Sequence, residues 1–364
     1  MPRKKTTNDE STDLRDQLGG RSVLSVNEFI STGSTILDFA IANRKDGGIP
    51  VGRITEIAGN EATGKSLLSY HIMANTQKND GIAIYVDMER SADETFMKRM
   101  GVDVTKNFIY PSPPKSIEDF FDYMTNVITV VRTRFPNKEK KVTIVWDSVA
   151  STPAKEQIEN KFSDKDRIAS AARAMSACLP KAMDMFDLGY VTLVCINQLR
   201  QNIGAMPFAE QTTTPHGKSL PFYSSTRIKL RSVGKIKESS SRDSRIIGVN
   251  ASAKVVKNRC GPPHRTAEFP IYFDWGVEDE LSWIDFLKDT GHIVTKGAWS
   301  TLNMAGEHKF QGTEKFKQLL KDDRIRSGIL DAIEETMVIR FDKKPDDVVI
   351  DAISDSESAS GELV

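Results

Sequence analysis

The chain has 364 residues, enough for one large domain and a small one. Lysine plus arginine and aspartate plus glutamate both number 50, so the net charge is zero and any nucleic-acid surface has to be local. Three scattered cysteines with no C-x-x-C spacing argue against secretion and fit a reducing cytosol, and no apolar run approaches the length of a membrane span.

The first 21 or so residues are polar and of mixed charge; Arg3-Lys4-Lys5 has no apolar stretch behind it and is not a signal peptide. Residues 13–18 suit a short helix or a loose tail. Residues 23–30 read as a strand, Ser31-Thr32-Gly33-Ser34 as a turn into a helix at 35–42, and Gly47-Gly48-Ile49-Pro50 as a further turn. Residues 53–58 alternate and are β-branched, as a strand requires. Gly59-Asn60-Glu61-Ala62-Thr63-Gly64-Lys65-Ser66 follows, and apolar residues at helical spacing come after it. That stretch fits G-x-x-x-x-G-K-[ST] in the strand-to-helix context that a phosphate-binding loop needs. The glycines let successive N–H groups turn inward, the helix start adds its positive dipole end, Lys65 reaches the β- and γ-phosphates, and the Ser66 hydroxyl holds Mg²⁺.

Beyond the loop the pattern is strand and helix in alternation. Apolar strands are expected at 82–86, 142–146 and 191–196, and helices at 66–77, 117–134 and 169–186. Buried strands alternating with helices imply an α/β fold with a mainly parallel sheet, whose ligands sit beyond the carboxyl ends of the strands. Three candidate groups fall at such ends. Asp147 is placed to hold Mg²⁺ through its water shell, though a strand-end aspartate also caps turns. Glu89 is placed to orient water for in-line attack, with Asp87 as its competitor. Gln198, after Asn197, is either a γ-phosphate contact or a loop anchor.

Residues 199–220 show little regular pattern and mix Arg200, Met206, Phe208, Thr212, Thr213, Thr214, His216 and Lys218. Such a segment contacts phosphates and bases or is simply a mobile connection, the latter being the plainer account. Residues 227–233 and 252–257 alternate like half-exposed antiparallel strands around a hairpin tip at 235–245, and 267–273 is another strand. From about Val277 a small mixed unit is expected, with helices at 283–290, 316–322 and 325–337. The last twenty residues carry acids but no lysine or arginine and read as disordered.

Taken in order, Ile30-Ser31-Thr32-Gly33-Ser34, Gly52-Arg53-Ile54, the phosphate loop, Asp147-Ser148-Val149-Ala150, Ala171-Ala172-Arg173, Ile196-Asn197-Gln198, Val255-Val256-Lys257-Asn258 and Lys296-Gly297-Ala298-Trp299 resemble the RecA recombinases, bacterial or phage-borne. The resemblance runs over roughly residues 24–299. It implies a RecA-type P-loop ATPase core at 34–275, an N-terminal oligomerisation segment at 1–33, a duplex-DNA-binding α+β domain at 276–340 and an acidic tail at 341–364. It implies ATP and Mg²⁺ as cofactors, single-stranded DNA and homologous duplex DNA as partners, a helical homo-oligomer with ATP between subunits, help from single-strand-binding and mediator proteins, no membrane, and a cytoplasmic location.

Residue roles also come with the resemblance. Glu89 matches the water-activating glutamate and Gln198 the γ-phosphate sensor. Asp93 and Phe96 match adenine contacts, Phe96 standing where a tyrosine is usual. Lys257 and Arg259 match a basic pair that reaches the neighbouring subunit's ATP; on local sequence alone they are exposed strand residues. Residues 159–168 and 200–217 match two DNA loops, with Ile203 as the wedge between bases and Arg173, Arg200, Thr212, Thr213 and Thr214 as backbone contacts. Phe222 matches an interface residue. Pro180 replaces an arginine and is expected to kink its helix; Pro215-His216-Gly217 and Pro221 are further departures. The function implied is ATP-dependent pairing and strand exchange by a filament on single-stranded DNA. A replicative helicase built on the same core, or an ATP-switched coating or annealing protein, are the alternatives.

Overall fold

The computed structural model describes residues 26–136, 140–159, 169–189, 191–201, 212–238, 244–304 and 306–339. The expectations for the N-terminal tail, most of the first DNA loop, Ile203, the middle of the hairpin tip and the acidic tail lie outside those residues.

Among the described residues, nine strands form the central sheet: β1 (Ile54–Gly59), β2 (Ile82–Asp87), β3 (Phe108–Ile109), β4 (Val142–Asp147), β5 (Val191–Gln198), β6 (Thr226–Lys237), β7 (Ile246–Asn258), β8 (Thr266–Tyr272) and β9 (Gly276–Val277). Their order is β9-β8-β7-β6-β1-β5-β4-β2-β3. Pairing from β6 through β1 to β3 is parallel, and from β6 to β9 antiparallel. The fold is thus α/β with a mixed, mostly parallel sheet. One expectation needs adjusting. Residues 227–233 pair antiparallel with β7, as their alternation leads one to expect, but Thr226–Leu230 also runs parallel to β1 and alternates between buried and half-buried positions. That alternation made it look like a sheet edge, whereas it joins the parallel half of the sheet to the antiparallel half.

Two apolar layers cover the sheet. On one face α1 (Thr35–Ala42) and α2 (Lys65–Lys78) pack with the C-terminal unit in one continuous core. On the other, Ile117–Arg134 and Ser170–Gly189 enclose Trp146, which stacks on Phe120 at 3.8 Å between ring centres. The amphipathic spacing in these helices places one apolar stripe on the sheet. Helix Ser170–Gly189 continues through Pro180 without interruption. Pro180 is exposed, so the backbone bond it forgoes lies on the solvent side, where the freed carbonyl is open to hydration.

The C-terminal unit contains α3 (Asp279–Asp289), a three-stranded sheet of Ile293–Lys296, Trp299–Asn303 and Glu307–Phe310, and helices Gly312–Leu319 and Asp323–Met337. It is fastened to α1 where the Asp279 carboxylate accepts from Thr35 N at 2.7 Å and Thr35 Oγ1 at 2.5 Å. No helix among the described residues is long and apolar enough to cross a membrane.

Candidate active site

The loop from Gly59 to Ser66 leaves β1 at its carboxyl end and enters α2. Gly64 takes φ 90°, a conformation that favours glycine, and a Cβ there would also press on the terminal methyl of Ile271 at 2.5 Å. Within the loop, Thr63 Oγ1 and Lys65 Nζ donate to Asn60 O at 2.9 and 2.7 Å. Asn60, Glu61 and Ala62 are exposed, with Ala62 at φ 56°. Partial burial lowers the pKa of Lys65, while Asp147, Glu89 and Glu61 pull it back up.

Four adjacent strands bring the remaining groups to this loop. Gln198 is the register partner of Gly59, and Leu199 N donates to Gly59 O at 3.3 Å. Asp147, ending β4, accepts from Ser66 Oγ at 2.8 Å and from Tyr85 OH at 2.7 Å, both at Oδ2. Burial pushes the Asp147 carboxyl up; the Tyr85 and Ser66 bonds lower it, and Glu89 and Asp87 raise it further. Glu89, exposed, accepts at Oε1 from Ser148 Oγ at 2.5 Å and Ser151 Oγ at 2.8 Å. Asp87 is buried and occupied: it accepts from Glu89 N, Ala92 N and Tyr110 OH. The structure therefore brings Lys65, Ser66, Asp147, Glu89 and Gln198 together. It gives Asp87 the work of shaping the turn that carries Glu89.

The donor set suits Mg²⁺. A hydroxyl and a carboxylate, both hard oxygen ligands, stand in contact at the helix start, and Mg²⁺ takes most of its remaining ligands from phosphates and water. Among the described residues no group of three or more His, Cys, Asp or Glu is placed to hold a metal ion.

Other expected residues lie apart. Asp93 caps helix Glu94–Arg99, accepting from Phe96 N at 2.8 Å, and the half-buried Phe96 ring meets Tyr70 edge-on at 6.2 Å. Arg200–Gln201 pairs with Thr212–Thr213, closing the base of the second loop; Thr212 Oγ1 also accepts from Lys229 Nζ at 3.4 Å, and Thr214 is buried. Arg173 is exposed and paired with Glu156 at 2.8 Å; Gly217, on the return from that loop, packs against Ala172 beside it.

Lys257 and Arg259 are far from their own phosphate loop. Arg227 pairs with Lys257 on one side and with Glu56 on the other, and Glu56 lies three residues before Gly59. The pair thus sits toward the amino end of the parallel strands, roughly 10 Å back along the strand from the loop and two strands aside. Lys257 Nζ donates to Pro221 O at 2.8 Å and Phe222 O at 2.6 Å, and Arg259 to Phe222 O at 3.3 Å. Burial, then the neighbouring Arg259 and Arg227, lower Lys257 to about 8. The Phe222 ring is exposed beside them.

Sequence reasoning missed Tyr85 and Tyr110, whose hydroxyls hold the two strand-end aspartates, and the buried pair of Glu56 with Arg227 at 2.5 Å, completed by Asn197 Nδ2 at 2.9 Å. The available signals were a tyrosine inside an otherwise apolar strand and a glutamate in the strand before the loop.

Residues 13–278 match the family model described as the RecA N-terminal domain. The chain is 37% identical over 308 residues to Protein RecA of Helicobacter pylori (strain P12), covering 85% of this chain and 83% of that one. It is 36% identical over 322 residues to Protein RecA of Chlorobaculum tepidum, covering 88% and 87%, and equally to that of Helicobacter acinonychis (strain Sheeba). The chain belongs to the RecA family. As a RecA-family protein it acts in homologous recombination and is a DNA-dependent ATPase. Family membership carries with it nucleotide use, DNA binding and filament formation. The loop around Gly64 and the strand ends beside it are where this RecA-family chain gathers Lys65, Ser66, Asp147, Glu89 and Gln198.

Proposed function

We propose that the chain binds ATP and Mg²⁺ through residues 59–66, assembles head to tail as a helical filament on single-stranded DNA, and pairs that strand with homologous duplex DNA in the bacterial cytoplasm. One observation carries this reading: the phosphate loop and the Lys257–Arg259 pair lie toward opposite ends of the same parallel strands. Cations so placed suit a neighbour's phosphates better than their own. A contact between unlike ends of identical subunits repeats head to tail and produces an open helix where its rotation does not close, a ring where it does; the filament formation that goes with the family favours the helix. Phe222, exposed beside the pair, supplies apolar area to that contact.

In this reading Lys65 grips the β- and γ-phosphates, and Ser66 and Asp147 hold the cation, which offsets phosphate charge when bound. Glu89 orients the attacking water. Gln198, opposite Gly59, meets the γ-phosphate and transmits its loss to Arg200 two residues on. Asp93 and Phe96 face the adenine. Arg173, Arg200, Thr212 and Thr213 hold the DNA backbone, with Ile203 as the wedge; Thr214, being buried, is not part of that set. The segment near the N-terminus packs on the next protomer, although its last part, Phe29–Ile30, pairs with Ile49–Pro50 of its own chain. The unit at 276–340 captures duplex through the exposed Lys288, Lys296 and Lys309, and the tail at 341–364 competes with DNA for them. Single-strand-binding and mediator proteins govern loading.

DNA-stimulated ATP turnover, measured beside joint-molecule formation and imaging, tests the reading. Turnover that depends on single-stranded DNA, joint molecules and helical filaments are expected. Rings that unwind duplex would overturn it in favour of a helicase, and filaments that assemble without turnover or pairing would favour a coating protein.

A further inference from the structure

Three tyrosines stand at the carboxyl end of the sheet, and the roles above use none of them. On β2, Tyr85 and Asp87 share one face, as residues two apart do. Asp87 is the register partner of Asp147 on β4, and Val145 is that of Tyr85. Asp147 is therefore the diagonal neighbour of Tyr85, a separation that an aromatic side chain can span. The Tyr85 ring is fully buried, so its hydroxyl needs a partner inside the protein. It finds Asp147 Oδ2 at 2.7 Å, the same oxygen that accepts from Ser66 Oγ at 2.8 Å. Tyr70 OH lies behind it at 3.4 Å, and the Tyr110 ring stacks alongside at 6.4 Å while its own hydroxyl reaches Asp87.

We infer that Tyr85 is a positioning residue for the candidate Mg²⁺ site: its hydroxyl fixes the Asp147 carboxylate against Ser66 and so sets how tightly the cation is held with the nucleotide. The inference rests on the reading of Ser66 and Asp147 as the cation's holders. Its physical basis is the direction of the bonds. Two donors converge on Oδ2, which stops the carboxylate from rotating and leaves Oδ1 as the acceptor for the cation's water shell. A phenylalanine would fill the same space and pack equally well. The hydroxyl is thus what distinguishes Tyr85 from an ordinary core aromatic, and Tyr70 reinforces it by hydrogen bonding along the chain of hydroxyls.

The test is a Mg²⁺ titration of fluorescent ATP-analogue binding by the full-length protein, with melting curves recorded in EDTA. For Tyr85→Phe the half-saturating Mg²⁺ concentration is expected to rise about tenfold, the low end of the ~10–100-fold typical of groups that orient a metal-holding side chain. Binding of the analogue without Mg²⁺ stays unchanged, and excess Mg²⁺ restores most of the turnover. Tyr70→Phe, which removes only the more distant hydroxyl, shifts the Mg²⁺ requirement in the same direction by less, and carries the test if Tyr85→Phe does not fold. A lower melting temperature with an unmoved Mg²⁺ requirement means a packing role only and overturns the inference. Asp147→Asn and Ser66→Ala separate the two levels. If they shift the Mg²⁺ requirement and Tyr85→Phe does not, the Tyr85 inference alone falls; if neither shifts it, the cation reading falls with it.

Discussion

The two ends of the parallel strands are built in contrasting ways. At the carboxyl end Lys65, Ser66, Asp147, Glu89 and Gln198 converge on one loop, and the first four are tied to one another, to the loop backbone or to the hydroxyls of Tyr85, Ser148 and Ser151. At the amino end Lys257 and Arg259 converge on nothing chemical: they donate to the carbonyls of a short helix, Ser219–Tyr223, beside an exposed phenylalanine. The first region is finished by the folding of one chain. The second has cations held by neutral backbone oxygens, an arrangement that a phosphate can outcompete because it adds the attraction of opposite charges to the hydrogen bond. In the proposed reading, folding completes the first part of the site and assembly the second.

The sharpest way to break the comparison is to remove the amino-end cations. Lys257→Ala with Arg259→Ala is expected to reduce DNA-stimulated turnover by ~10³–10⁵, the range for a cation supplied across an interface. ATP affinity of the dilute, DNA-free protein should stay the same. Equal loss of affinity and turnover would mean that the pair serves its own loop, against the register. Next in size is Glu89→Gln, expected to lower turnover ~10²–10⁴-fold while ATP and DNA binding persist. Unchanged turnover would return attention to Asp87, despite its three bonds to the surrounding turn.

A third change tests what joins the two ends. Glu56 is fully buried and bonded to Arg227 and Asn197, which places one ionic strut across β5, β1 and β6 between the loop and the cations. Arg227→Ala leaves that carboxylate without its cation and should destabilise the protein by about 3 kcal/mol, the low end for breaking a buried pair, since Asn197 still donates to it. Thermal or denaturant unfolding measures this. A change below about 0.5 kcal/mol, the size of an ordinary surface substitution, would mean that the strut is not needed.

The same contrast explains what could be read in the sequence. The carboxyl end was legible because a phosphate loop needs particular residues at particular spacing, and because buried strands ending in Asp147 or Gln198 announce their ends by a change of polarity. Helices Thr35–Ala42 and Ile117–Arg134 were legible to the residue, each having a serine just before it whose hydroxyl accepts from the backbone of its first turn. Residues 293–310 were harder. Their short strands lie mostly exposed, so they lack the apolar runs that marked the main sheet. The support given by Tyr85 to Asp147 was hidden because it depends on which strands are neighbours, and β2 and β4 are adjacent in space but separated in sequence by a strand and two helices. The position of Lys257 relative to Gly59 likewise needed the register of three strands.

The smallest expected effect sharpens the comparison through pH. Lys257 lies at about 8, below the ordinary lysine value, because it is partly desolvated and stands beside Arg259 and Arg227. Its shift disfavours the protonated form, so the free protomer loses this charge as pH rises through 8 and keeps it below. A neighbour's phosphates would restore the charge, which makes assembly above pH 8 draw one proton per interface from solution. At protein concentrations below saturation, DNA-stimulated turnover should therefore fall between pH 8 and 10, by up to about tenfold per unit. Arginine stays protonated throughout this range, so Lys257→Arg should retain turnover to higher pH even if its rate at pH 7 is somewhat lower. ATP binding by the dilute protomer provides the control. Lys65 is also lowered by burial, but Asp147, Glu89 and Glu61 act to keep it charged. If binding at the loop and turnover in the assembly decline together and Lys257→Arg shifts neither, the alkaline limit belongs to Lys65, and the two ends of the sheet are not titrating independently.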